Sequence, residues 1–153
     1  MAAYFFDTSA LVKRYATETG TAWVTSLLDP AARNRIFVVR ITGAEMVAAI
    51  MRKKRGLKIS AADAATAAAL FRADFAGPFR VVEVTPALVA SAMTLAETHA
   101  LRGYDAVQLA AALHTQARRQ AGTLPALSLI TADKDLLAAG AAEGLAVDDP
   151  NNH

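Results

Sequence analysis

The chain has no cysteine among its 153 residues, which removes a disulfide framework and a thiolate zinc site from consideration. Histidine is scarce as well: the three residues, at positions 99, 114 and 153, are too scattered for an imidazole metal site. A metal ion held by this chain would have to sit on carboxylate oxygens, the donor set that suits Mg2+ or Mn2+. The basic start and long apolar core of a secretory leader are missing, and Asp7 interrupts the first apolar run early. No apolar run approaches the ~18 residues of a membrane span. These absences lead to the expectation of a soluble, cytoplasmic protein with no membrane association. Internal repeats, linkers and low-complexity tracts are absent too. Residues 1–150 therefore read as one domain, with 151–153 as a C-terminal tail.

What is present favours a compact α/β or helical protein. Hydrophobic residues make up 54% of the chain, and the length is sufficient for a substantial core. The net charge of +2 and the pI of about 9.2 are only mildly basic, a hint of nucleic acid rather than a demonstration.

The elements alternate. Tyr4-Phe5-Phe6 is an apolar run too short for a helix and suited to a buried strand. It ends on Asp7-Thr8-Ser9, and a short helix is expected over 9–18. A second helix runs from about Thr21 to Leu28 and stops at Asp29-Pro30. Ile36-Phe37-Val38-Val39 reads as a buried parallel strand, followed by a helix over Thr42–Arg55. Ser60 to Asp63 resembles a capping box that opens a helix to about Phe75. Val81–Val84 is the third strand. Thr85-Pro86 starts a helix to about Ala100, by the cap-then-proline signal. Asp105 opens a helix to about Arg119, and Leu127–Thr131 is the fourth strand. Asp133 starts a helix ending near Gly140, and Leu145–Val147 is a short last strand. Strands alternating with helices imply a mostly parallel sheet covered on both faces.

The acids are the informative feature. Asp7, Glu45 and Asp133 all follow strands, so a parallel sheet brings them to one edge, and Asp105 joins them if its helix begins there. Each alone has an ordinary explanation. Thr42 to Glu45 fits a capping box, and Asp7, Asp105 and Asp133 are well-placed helix N-terminal acids. Together they are harder to dismiss, because converging carboxylates repel unless a cation neutralises them. Carboxylate-held Mg2+ engages phosphates and activates water, so phosphodiester hydrolysis is the natural reaction.

The motifs Asp7-Thr8-Ser9-Ala10-Leu11, Glu45 after the second strand, Leu101 to Ala110 around Gly103-Tyr104-Asp105, and Leu129 to Leu136 around Asp133-Lys134-Asp135 resemble those of the PIN-domain nucleases. The nearest likeness is to the VapC toxins of toxin–antitoxin pairs. The resemblance spans nearly the whole chain; a longish loop over Gln120–Ala126 displaces the last motif without breaking it. It implies a PIN-like three-layer α/β/α fold. It makes Asp7, Glu45, Asp105 and Asp133 the metal-binding carboxylates of an Mg2+-dependent endoribonuclease. It also implies a homodimer and a small antitoxin whose tail occupies the site.

Around these acids stand residues with two readings. Thr8, Ser9 and Thr131 could hydrogen-bond a metal's water or a phosphate, or cap helices. Asp135 lies about 200° round the helix from Asp133 and is expected to face away. Gln108 shares the face of Asp105, as support for the site or as polar surface. Arg52-Lys53-Lys54-Arg55 with Lys58 is the strongest basic cluster, either a solvated helix end or a phosphate-backbone contact. Arg102, Arg40 and Lys13 are weaker phosphate candidates. His114 falls on the helix face opposite Asp105, and His99 reads as a core-edge residue. The Met46, Val47, Ile50, Met51 face and the helix carrying Leu70 and Phe71 read as core in part, with enough apolarity for an amphipathic partner helix.

Three other functions compete. A phosphoacceptor domain wants an adjacent acid pair after the first strand and an aspartate after the third; Phe6 and Val84-Thr85 stand there instead. An aspartate-nucleophile phosphatase wants a second Asp where Ser9 stands. An inactive module that binds RNA or a partner protein is opposed only by the intact set of acids.

Overall fold

The computed structural model describes residues Met1–His153. Strand β1 (Ala3–Phe6) lies at the centre of a five-stranded sheet of order β3–β2–β1–β4–β5. Its companions are β2 (Arg35–Val39), β3 (Arg80–Val82), β4 (Ser128–Ile130) and β5 (Ala146–Asp148). Every pairing is parallel, so the sheet expected to be mostly parallel is wholly so. Parallel strands bury both faces, and alternate side chains divide between two cores. Phe6, Ile36, Val38 and Ile130 point into one; Ala3, Phe5, Val39 and Leu129 point into the other. Phe5 and Phe6 are fully buried, each stabilising the fold by roughly 1.5–3 kcal/mol.

The first core is closed by α1 (Thr8–Leu11), α2 (Thr21–Leu28), α3 (Thr42–Arg55) and α4 (Ala61–Ala76). Leu11, Val24, Met46, Ile50 and Phe71 supply its helical side. The second is closed by α5 (Pro86–His99), α6 (Gly103–Ala121) and α7 (Lys134–Ala142), through Leu88, Leu95, Leu109 and Leu136. This is a three-layer α/β/α domain. The chain builds from β1 outwards to β3, then returns to add β4 and β5 on the other side of β1. The strand order therefore reverses between β1 and β4, where open α/β sheets form a crevice beyond the strands' carboxyl ends.

Several boundaries differ from expectation for identifiable reasons. The helix expected over 9–18 is α1 followed by a 3-10 turn at Val12–Arg14. Beyond it the chain turns to bring Glu18 Oε1 to 3.2 Å from Lys13 Nζ, which also donates to Thr19 O at 2.8 Å. Helix α6 begins at Gly103 rather than Asp105, with Arg102 as its extended N-cap. Thr42 does not cap α3. Ile41 holds that position, and the buried Thr42 hydroxyl instead accepts from Gln108 Nε2 at 3.1 Å. The caps expected at Ser60, Thr85 and Asp133 are made: each side chain accepts the amide of the residue three further on, at 2.9–3.1 Å.

Residues Pro150–Asn152 form a last 3-10 turn packed on the α1–α2 connection. Lys13 Nζ donates to Asn151 Oδ1 at 2.9 Å, and the His153 ring stacks on Trp23 at 4.0 Å. Gly20, at φ +87°, permits this approach, since a Cβ there would fall 2.2 Å from the Pro150 carbonyl oxygen.

Candidate metal centre

At the β1/β4 crevice lies a cavity of about 650 Å3 whose wall contains Asp7, Glu45, Asp105 and Asp133. Elements from both helical layers converge to build it. The four acids picked out by sequence thus share one cavity, together with Thr8, Ser9, Gln108, Arg52 and Arg102.

Asp7 follows β1 directly and caps α1, accepting the Ala10 amide at 3.1 Å. Ser9 Oγ lies 2.8 and 2.9 Å from the two Asp7 carboxyl oxygens and donates to the carboxylate. The same Ser9 oxygen accepts the Ala132 amide at 2.9 Å, so one hydroxyl ties α1 to the end of β4. Thr131 Oγ1 accepts the Asp133 amide at 3.1 Å and sits 3.4 Å from Ser9 Oγ. Asp7 is only 3% exposed. Burial pushes its pKa up to about 7, against the lowering effect of the Ser9 hydroxyl and the Ala10 amide.

Glu45, in the first turn of α3, accepts from Gln108 Nε2 at 2.9 Å. Gln108 is 1% exposed and donates from the same nitrogen to Thr42, so α6 steadies the Glu45 carboxylate across the sheet edge. Burial raises the pKa of Glu45, and the Gln108 hydrogen bond opposes it.

The other two acids share one guanidinium. Arg102 Nε donates to Asp105 Oδ2 at 3.1 Å, and one Nη of the same side chain donates to Asp133 Oδ2 at 3.0 Å. The second Asp133 oxygen remains on the Leu136 amide. Burial raises the pKa of Asp105, Arg102 opposes that rise, and the charges of Asp133 and Asp135 reinforce it.

The donors suit a hard, hydrated cation. Every candidate ligand is an oxygen, and one buried atom among the wall residues, Gln108 Oε1, has no hydrogen-bond partner. Buried polar oxygens without partners are costly, and water carried by an ion would satisfy this one. No group of three or more acids or histidines is set to grip one ion directly. Mg2+ rarely requires that, because it keeps several waters and takes one or two carboxylates.

The remaining candidates are placed as follows. Asp135 is exposed and outside the cavity wall, although Asp105 feels its charge. Of the basic cluster, only Arg52 lines the cavity. Lys54, Arg55 and Lys58 are exposed, while Lys53 is engaged by Glu18 at 2.9 Å. Lys13 is a correction: it is 5% exposed and saturated by Glu18, Thr19 and Asn151, so it does not present its charge to a phosphate. Arg40 pairs with Glu83 and lies over the Phe75 ring. His114 is exposed, and His99 is a half-buried partner of Glu143 at 2.7 Å. Met46, Ile50 and Phe71 are core, whereas Met51 is 36% and Leu70 is 56% exposed. Thr42 acquires a part in the site that the sequence did not suggest, because its partner lies 66 residues away.

The chain matches the PIN-domain family model over residues 4–142. Two Mycobacterium tuberculosis proteins are similar, each 36% identical over 113 residues: Ribonuclease VapC45 of strain CDC 1551 / Oshkosh and Ribonuclease VapC49 of strain ATCC 25618 / H37Rv. Each alignment covers 74% of this chain and 76% of the relative. Among solved structures, PAE2754 from Pyrobaculum aerophilum superposes with a TM-score of 0.62 at 21% identity, covering 99% of this chain and 91% of its own. VapBC2 from Rickettsia felis, bound to a DNA fragment from its promoter, gives 0.60 at 14% identity, covering 96% and 98%. Those likenesses repeat the fold, and the matched residues include all four acids of the cavity: the chain belongs to the PIN-domain family.

Proposed function

We infer that this protein is an Mg2+-dependent endoribonuclease, with Mn2+ a workable substitute, and that it is the toxin of a toxin–antitoxin pair acting on RNA in the cytoplasm. The convergence of Asp7, Glu45, Asp105 and Asp133 on one cavity at the sheet's switch point carries the reading. Its similarity to two proteins named ribonucleases supports the choice of substrate.

A divalent ion bound here would lower the pKa of water and neutralise charge on the leaving oxygen. The chain's own residues do the placing. Asp7, Glu45, Asp105 and Asp133 would hold the ion and its waters as the metal-binding, catalytic carboxylates. Ser9 and the Ala10 amide fix the Asp7 carboxylate, and Gln108 fixes that of Glu45. Thr8, and Thr131 through its bond to the Asp133 amide, shape the polar floor, with Asp135 adding negative potential from outside. Arg52 at the wall and the exposed Lys54 and Arg55 beyond it provide cations along which a phosphate backbone can lie. Tyr104, 60% exposed at the same cavity, offers a face on which a base can stack.

A second groove of about 510 Å3 adjoins the first. Val47, Met51, Phe71 and Phe75 line it, and Ala44 and Ala48 belong to both walls. An antitoxin helix lying there with apolar anchors would sit beside the acids, and its extension would reach them. The protein itself would act as a homodimer.

The deciding experiment is cleavage of purified RNA with Mg2+ or Mn2+, beside EDTA and an Asp7→Asn variant. Cutting that requires metal and vanishes in the variant is the expected result. Equal cutting by both proteins would defeat the assignment of Asp7. No cutting with RNA binding retained would make this an inactive binding module.

A further inference from the structure

The two halves of the acid cavity are satisfied differently. Asp7 and Glu45 are held by uncharged donors, namely a hydroxyl, a backbone amide and a buried carboxamide. These partners are fixed by the fold, since Gln108 is buried and Ser9 is tied to Ala132. Asp105 and Asp133 are instead bridged by a full positive charge, and that charge rides on an exposed arm. The Arg102 side chain is 80% exposed, against 16% and 21% for the acids it joins. Its backbone is an extended N-cap, and its side chain makes no capping bond.

We propose that Arg102 is an internal counter-cation that competes with the divalent ion for Asp105 and Asp133 and, once displaced, becomes the cavity's contact to the substrate phosphate. The proposal rests on the nuclease reading and says how its resting site is kept.

Two carboxylates at adjoining helix starts repel unless something positive lies between them, and Arg102 is the cation that does so in the absence of metal. Ion pairs made by an exposed arm are weak, because water screens them and the arm loses rotamer freedom in making them. A divalent ion therefore displaces it readily, whereas the buried hydroxyl and amide partners of Asp7 and Glu45 stay in place. The freed guanidinium remains at the cavity on its extended residue, where its planar fork fits two phosphate oxygens.

The test needs no catalysis. Mn2+ binding by the RNA-free protein is measured by calorimetry for the wild type, Arg102→Ala and Arg102→Lys. Removing the arm should tighten Mn2+ binding by about three- to tenfold, with the lysine variant between, since it keeps the charge and loses the fork. With Ca2+ in place of Mg2+, Arg102→Ala should bind a single-stranded RNA oligonucleotide at least threefold more weakly than the wild type. In the wild type, the Arg102 Nε resonance should shift as Mg2+ is added. Unchanged or weaker Mn2+ binding by Arg102→Ala would overturn the competition, and unchanged RNA binding would overturn the phosphate contact. A wild type that shows the exchange yet cuts no RNA would defeat the nuclease reading while leaving the competition between Arg102 and the metal demonstrated.

Discussion

Asp7 is the residue whose surroundings are least suited to its charge. It is nearly inaccessible, and its pKa is pushed up from an ordinary 3.8 to about 7 by burial. The folded protein thus holds a proton that the unfolded chain has released. This contributes stability that is fully present below pH 3.8 and lost as pH rises through about 7, up to on the order of 4 kcal/mol. Asn at this position keeps the capping oxygen and has no charge to bury. In EDTA, Asp7→Asn should gain on the wild type as pH rises from about 4 to 8, measured by urea denaturation at each pH. Parallel profiles would mean that the Asp7 carboxylate is well solvated. Adding Mg2+ at about pH 8 should raise the wild-type Tm and leave the variant nearly unmoved. Gln108 answers to a similar argument with the opposite outcome. Gln108→Ala leaves the Thr42 hydroxyl and the Glu45 carboxylate without their donor inside a packed wall. It should cost about 2 kcal/mol in denaturant titrations and slow RNA cleavage, whereas a surface amide would do neither.

Among the elements, α7 shows how closely the helices are drawn onto the sheet. Gly140 sits buried in its last turn, and glycine inside a helix ordinarily costs about 0.5–1 kcal/mol relative to alanine. A Cβ there would meet Leu129 Cδ2 at 2.8 Å and Val147 Cγ1 at 3.1 Å. Gly140→Ala should therefore destabilise the protein by about 1–2 kcal/mol despite the gain in propensity, and a rise in Tm would show that β4 and β5 can yield. The same elements show what was legible in the sequence. Asp7 and Asp133 could be placed because each ends an apolar strand run and begins a helix, a local signal at both positions. Ser60 and Thr85 are legible as caps from their immediate neighbours alone. Glu45 was placed on α3, but its partner was not, since Gln108 stands 63 residues further along and on the opposite helical layer. The Thr42 cap was a local pattern overridden by that distant amide. Arg102 stands in the sequence only as a weaker phosphate candidate, because nothing in Leu101 to Asp105 reveals that Asp133, 31 residues on, shares it. The helix expected over 9–18 failed likewise: the pull on Glu18 and Thr19 comes from a lysine ammonium that periodicity does not register.

At the scale of the molecule, two surfaces meet along α3, the acid cavity on one side and the apolar groove on the other. Met51 lies on the groove and outside the cavity wall. On the proposed function, Met51→Glu should leave RNA cleavage within about twofold of wild type and weaken inhibition by the proposed antitoxin at least tenfold, read as the antitoxin concentration that halves activity. Undiminished inhibition would place the antitoxin elsewhere. No helix is long and apolar enough to cross a membrane. The strand order carries a consequence for synthesis. β1 leaves the ribosome before the other four strands of its sheet, yet its two neighbours are β2 and β4, and the second of these arrives only with Ser128–Ile130. Until then the Asp7 amide lacks its Ile130 acceptor, Ser9 has no Ala132 to hold, and Asp133 has not been translated. Pairings of such sequence separation form late. If the chain is the ribonuclease we propose, its nascent form is harmless to the RNA around it until Asp133 has been made, because only then is the full set of carboxylates present.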